Sequence, residues 1–339
     1  MTLETKILDI IEGRKKAPLT KALLGVMSQC YRAGIFAHHF IYDWVLPSTK
    51  LQIPVISVGN IVAGGTGKTP FTLYLAQAFS PKKVAILSRG YRRKSKKTVI
   101  VKKETSPEEC GDEPFLLAQK VPTASVIVDS NRAFAGHLAQ VLDADLVLLD
   151  DGMQHRKLHR DIEIVVMDAN DLFGREHFLP RGLLRDSPKR LKLAQHIIVN
   201  GVRDEEHFAK AQTLIRFYSD APITAMELIV ENSTKLASKK VAAFCAIANP
   251  KRFHNTLKTL GCDIVRSMEK PDHAPFAQDE LERFANLAKG AECLVCTEKD
   301  AVKLPKNLQL HLPIIPVEIS LSPTFGKEHL ERRIQEVKQ

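Results

Sequence analysis

Gly64-Gly65-Thr66-Gly67-Lys68-Thr69, inside SVGNIVAGGTGKTP (57–70), combines residue types that can hold a phosphate chain. Glycines let successive backbone N–H groups turn inward around anionic oxygens. Lys68 is long enough to reach the outer phosphates, and Thr69 offers a hydroxyl to Mg²⁺. The usual pattern is G-x-x-x-x-G-K-[ST], placed after a strand and before a helix. Here the first position holds Val62, so the strict pattern fails by one residue, but the flanking strand and helix are both readable. That helix would turn its positive end toward the phosphates. The stretch DLVLLDD (145–151) supplies the second half of such a site, a hydrophobic strand ending in Asp150 and Asp151. Strand carboxyl ends are where α/β sheets hold ligands, so one of the two acids is expected to hold the metal directly or through water. GTP would require N-K-x-D. VNGVRD (199–204) lacks it and TEKD (297–300) displaces its lysine, so ATP is the expected nucleotide.

The elements that must position these residues follow a strand–loop–helix rhythm from residue 53. Strands are read at IPVISVG, KVAILSRGY, ASVIVD, ADLVLLDD, IEIVVMDA and QHIIVNG, with helices at Thr69–Phe79, within SPEECGDEPFLLAQKV and at RAFAGHLAQVL. This predicts a P-loop NTPase-type α/β fold, a mostly parallel sheet with helices on both faces. APITAMELIV alternates without a following helix and is read as an antiparallel connection over 221–235. A smaller α/β domain is expected over 236–325, after a kinase core over 51–220, and a charged, helical tail over 326–339. Cys293 and Cys296 form a CxxC, but on a buried strand residues three apart face opposite sides, which argues against a metal or redox pair.

The chain is long enough for two moderate units, and its hydrophobic fraction of 44% is globular rather than disordered. A net charge of +10 favours an anionic partner: polyphosphate, nucleic acid or an acidic membrane face. One Trp and 6% aromatics offer no stacking platform, which argues against nucleic acid. Scattered cysteines imply a reducing compartment, residues 1–16 read as no signal peptide, and no uncharged run is long enough to span a bilayer. ALLGVMSQCYRAGIFA (22–37), within an N-terminal amphipathic segment over 1–50, places Leu23, Val26, Met27, Cys30 and Gly34 at helical spacing beside Lys15, Lys16, Lys21 and Arg32. It is either a helix packed on the core or a basic amphipathic helix resting on a membrane.

GNIVAGGTGKTP, LSRGYRRK, GDEPFLLA, DDGMQHRKLHRDI, LPRGLLRDSPKRL, PDHAPF and TEKDAVKL stand in that order. This set strongly resembles the tetraacyldisaccharide 4′-kinase family of Gram-negative lipid A biosynthesis, over roughly residues 15–320. The resemblance implies transfer of the γ-phosphate of ATP to the 4′-hydroxyl of tetraacyldisaccharide 1-phosphate, giving lipid IVA, with Mg²⁺. It implies peripheral attachment to the cytoplasmic face of the inner membrane, by a chain expected to act as a monomer. It makes Asp112 of GDEPF the candidate base, His273 of PDHAPF its partner, and Glu113 a neighbour of the metal. A sugar hydroxyl is a poor nucleophile, and a carboxylate–imidazole pair can take up its proton. Asn60, Gln154, His155, Arg181 and Arg185 are expected toward the acceptor. Arg185, Lys189, Arg190 and Lys192 extend that basic segment, and Arg89, Arg92 and Arg93 form a second cluster. His155 and His159 have zinc-pair spacing, but no Glu follows the first His. A P-loop ATPase switch remains the rival enzyme. Asp112 and His273 fall in different units, so closure of the two over ATP is expected.

Overall fold

The structure, a computed structural model, describes residues 17–305 and 307–338. The reading of residues 1–16, and of Lys15 and Lys16 as flanking charges, lies outside the described residues. The chain enters through α1 (Pro18–Phe40), which runs on into a π-helical turn at Ile41–Val45. The strands that follow are β1 (Val55–Gly59), β2 (Val84–Ser88), β3 (Val99–Ile100), β4 (Ser125–Val128), β5 (Leu146–Asp150), β6 (Ile162–Asp168), β7 (His196–Asn200) and β8 (Ile223–Val230). Helices α2 (Lys68–Ala78), α3 (Asp112–Lys120), α4 (Arg132–Val141) and α5 (Glu205–Arg216) alternate with them. Together with β13 (Ile319–Pro323) these strands form one sheet in the order β13-β8-β7-β6-β1-β5-β2-β4-β3, parallel except for its two edges.

Strand β5 explains why this sheet is buried on both faces. Leu146 and Leu148 enter one core with Phe71, Leu75, Leu117 and Val128, whereas Val147 and Leu149 enter another with Leu87, Ala135 and Ala139. Side chains alternate sides along a strand, so both sets must be apolar, and the run is continuous rather than alternating. Helix starts are set locally. Asn131 accepts from the Phe134 N–H and Asp204 from the His207 N–H, each satisfying a first-turn donor.

A second, all-parallel sheet has the order β10 (Asp263–Glu269), β9 (Lys240–Cys245), β11 (Cys293–Thr297), β12 (Ile314–Val317), with α6 (Pro250–Thr259) and α7 (Gln278–Leu287). Cys293 and Cys296 sit on β11, both free, one in each of the two small cores.

Three readings need correction. Residues 223–230 do not form a separate connection: β8 lies parallel to β7 and is preceded by α5, a helix the pattern reading passed over. Only its pairing with β13 is antiparallel, where the chain returns from the small sheet. The C-terminal residues are helical as expected, in α8 (Lys327–Lys338), but they do not hang free as a tail: Leu330 and Ile334 sink into the main core. The helix α1 packs through a stripe other than the one expected. Leu24, Ser28 and His39 are buried, while Leu23, Val26 and Met27 are 61%, 64% and 48% exposed. Its attachment is partly polar: Ser28 donates to the Phe178 carbonyl at 2.8 Å, and His39 Nε2 lies 2.9 Å from Asp186 Oδ1.

Candidate active site

The phosphate loop leaves β1 beside the acidic end of β5, where Val58 is in register with Asp150. Positive φ falls on Gly64 (116°) and Gly67 (92°), a region that favours glycine. At Gly67 a side chain is also sterically barred, since a Cβ would stand 2.4 Å from Asn200 Nδ2. The same amide donates to the Thr66 carbonyl at 2.7 Å, and Asn60 Nδ2 donates to Thr66 Oγ1 at 2.9 Å. Asn60 is thus buried beneath the loop and shapes it. The departure at Val62 has a physical reason. That residue is buried in an isolated antiparallel bridge to Leu184, where the backbone needs no positive φ.

Two groups of charged side chains face one cleft of about 660 Å³. On the loop side, Lys68 Nζ stands 3.5 Å from Asp151 Oδ1, and Arg185 grips the same carboxylate with both terminal nitrogens, one at 3.1 Å. Asp150 accepts from Thr72 Oγ1 at 3.3 Å. Burial, reinforced by the charges of Glu113 and Asp151, pushes the Asp150 carboxyl up to about 7. Burial acts the same way on Asp151, but Lys68 and Arg185 outweigh it and hold that carboxyl well below the usual range. Burial also lowers Lys68, against the pull of Asp151.

On the other side, residues from both sheets meet. Asp112 opens α3, and Asp112 Oδ2 lies 3.0 Å from His273 Nδ1, which comes from the loop after β10. His273 has φ 65°. Lys299 stands on the single helical turn Glu298–Ala301 directly after β11, a turn capped by Thr297. Its Nζ reaches Glu113 Oε1 at 3.0 Å, His273 Nε2 at 3.2 Å and Asp272 Oδ1 at 3.6 Å. Burial works against its charge, yet Glu113 and Asp272 more than reverse this and raise its pKa. Lys303 Nζ adds a contact to Asp112 Oδ2 at 3.7 Å. The motif TEKD carried Lys299 and Asn200 ends a legible strand, but nothing in their spacing assigned either a role.

The expected acceptor residues divide. Arg185 lines the main cleft. Gln154 donates to the Asn60 carbonyl at 2.9 Å and, with His155, lines a second pocket of about 380 Å³ with His38, Tyr42, Asn131 and Arg156. Burial, with Arg132 and Arg160, brings His155 down to about 4, and its buried Nε2 has no hydrogen-bond partner among the described residues. Arg181 faces neither pocket; its guanidinium packs beneath Gly25 of α1. Within the basic segment Arg190 pairs with Asp43 at 2.9 Å, and Arg156 pairs with the same carboxylate. Of the second cluster, Arg89 lines the cleft, Arg92 donates to the Asp272 carbonyl, and Arg93 to Val128 and Lys97. Among the described residues no three His, Cys, Asp or Glu side chains are grouped to hold a metal. That is compatible with Mg²⁺, which takes one or two carboxylates and completes its shell with phosphate and water.

The model of the tetraacyldisaccharide-1-P 4′-kinase (LpxK) family matches residues 20–337. The tetraacyldisaccharide 4′-kinase of Syntrophus aciditrophicus is 35% identical over 91% of this chain and 91% of its own length. That of Chlamydia pneumoniae is 39% identical over 83% of this chain and 81% of its own. The crystal structure of LpxK from Aquifex aeolicus in complex with ATP superposes with a TM-score of 0.75 at 31% identity, covering 94% of this chain and all of that one. The match runs through both sheets and every element that lines the cleft, and so the chain belongs to the tetraacyldisaccharide-1-P 4′-kinase family.

Proposed function

We infer that this chain is an ATP-dependent kinase that transfers the γ-phosphate to the 4′-hydroxyl of tetraacyldisaccharide 1-phosphate, forming lipid IVA in lipid A biosynthesis. The observation that carries the reading is the cleft itself: a phosphate loop on one wall and, on the other, His273 backed by its partner Asp112.

In this reading the N–H groups of Gly64–Thr69 hold the phosphate chain, and Lys68 neutralises its outer charge. Arg185 and Lys68, now paired with Asp151, are the cations free to re-pair with transferring oxygens. Asp112 accepts the acceptor's hydroxyl proton, and His273 orients it. Asp150 is a buried acid with a hydroxyl partner and no salt-bridged cation, which fits a divalent ion. Thr69, Asp150 and Glu113 are the residues that would hold Mg²⁺, with Asp151 behind them steadying Lys68 and Arg185. When bound, Mg²⁺ supplies charge neutralisation on the phosphate oxygens.

The second pocket suits a phosphorylated sugar: it offers Arg156, Lys157, Asn131 and the unpartnered His155 nitrogen. Asn60 and Arg181 serve the acceptor indirectly, through the loop and through α1. Leu19, Leu23, Val26, Met27, Phe36 and Phe40 leave α1 with a bare apolar face, which Trp44 of the π-helical turn extends. Among the described residues no helix is long and apolar enough to cross a membrane. We place α1 on the cytoplasmic face of the inner membrane, as the peripheral anchor of a monomer.

Phosphate transfer from labelled ATP to tetraacyldisaccharide 1-phosphate in detergent micelles tests the reading. Labelled lipid that appears only with acceptor present is the expected result. Hydrolysis of ATP without labelled lipid would instead mark a P-loop switch.

A further inference from the structure

We propose that Lys299 is a positioning residue that fixes the tautomer of His273 and so sets the direction of the Asp112–His273 hydrogen bond. This deepens the kinase reading and rests on Asp112 and His273 being its proton-accepting pair. A neutral imidazole has one donor nitrogen and one acceptor. An ammonium has three donors and no acceptor, so with Lys299 Nζ 3.2 Å away, His273 Nε2 must accept. The ring proton then sits on Nδ1, 3.0 Å from Asp112 Oδ2, and is donated to the carboxylate. The other tautomer would set an N–H against the ammonium and a lone pair against Oδ2.

The lysine matters because its neighbours pull the other way. Asp272 Oδ2 lies 3.7 Å from Nε2 and by itself would draw the proton there. Lys299 stands between, 3.6 Å from Asp272 Oδ1, and is tied in place by Glu113 Oε1 at 3.0 Å. The remaining groups around the ring do not make this choice. Tyr91 faces it ring to ring at 5.5 Å, Lys303 pairs with Asp300 at 3.0 Å and reaches Asp112 rather than the imidazole, and Arg92 donates to the Asp272 backbone carbonyl. With Nδ1–H committed to Oδ2, Asp112 Oδ1 is the oxygen left to take a proton. The acceptor hydroxyl gives its proton to that oxygen as its oxygen bonds the γ-phosphorus. The bridging P–O bond breaks, and ADP leaves with the bond's electron pair.

The test is nitrogen-15 NMR of histidine-labelled full chain in detergent micelles, at a fixed pH above the ordinary histidine range, with His273→Gln assigning the signal. Wild type is expected to show a protonated Nδ1 and a bare Nε2. Lys299→Met should lose that single-tautomer signature. Its kcat should fall about 30- to 100-fold while KM for ATP stays within about threefold. Lys299→Gln, which keeps an N–H donor at Nε2, should retain the signature and recover most of the rate. A wild-type Nε2–H, or an unchanged signature in Lys299→Met, overturns the proposal. Should Lys299→Met not fold, loss of the signature in Lys299→Gln overturns it equally. Absence of lipid phosphorylation by wild type would count against the kinase reading alone, since the nitrogen signature is read without turnover.

Discussion

The two walls of the cleft are built in different ways. The loop wall comes from one sheet: β1 and β5 are in register, and Lys68, Asp150 and Asp151 follow from adjacent strand ends. The opposite wall is assembled from both sheets, with Asp112 and Glu113 from the large unit and His273 and Lys299 from the small one. Geometry on the first wall depends on local backbone. On the second it depends on how two units meet, where Asn232, just after β8, bonds Pro316 and Glu318 as the chain returns from β12 to β13.

Changes on the loop wall should cost most, because they remove charge directly at the phosphates. Lys68→Ala is expected to lower kcat by about 10³-fold with the fold intact, checked by single-turnover transfer and circular dichroism. Arg185→Ala should cost about 10²-fold and, by freeing Asp151, weaken ATP binding measured by calorimetry. A smaller effect separates the walls by pH. Asp150 has its folded pKa raised from 3.8 to about 7, so the neutral form is the one the empty fold tolerates. Its contribution to stability is full below the unfolded value and is lost as pH rises through about 7. Without nucleotide or Mg²⁺, Asp150→Asn should raise Tm by a few degrees near pH 8.5 and do little near pH 4. Away from both walls, Trp44→Asp on the π-helical turn after α1 should leave Tm unchanged and weaken binding to anionic vesicles about tenfold, read by sedimentation.

The same contrast explains what was legible in the sequence. The loop, Asp150 and Asp151 could be read because each requirement lies within a few residues of a strand end. Neither the link between Asp112 and His273 nor the role of Lys299 follows from periodicity. These contacts span 161 and 26 residues, and only the ordered motif set hinted at the first. Helix α1 was readable as amphipathic but not in its orientation. Hydrogen bonds from Ser28 and His39 dock a stripe that apolar spacing does not mark. Strand β8 was misplaced because its outer half, Glu227–Val230, alternates in exposure beyond the point where the parallel pairing with β7 ends.

The central claim is that an acid from one unit and a histidine from the other act as a single device. A double-mutant cycle on phosphate transfer, with Asp112→Ala, His273→Ala and the double variant, tests it most directly. Each single change should cost about 10²-fold in kcat, and the double should be no slower than the worse single. Losses that multiply would show two independent residues and contradict a site assembled across the two sheets.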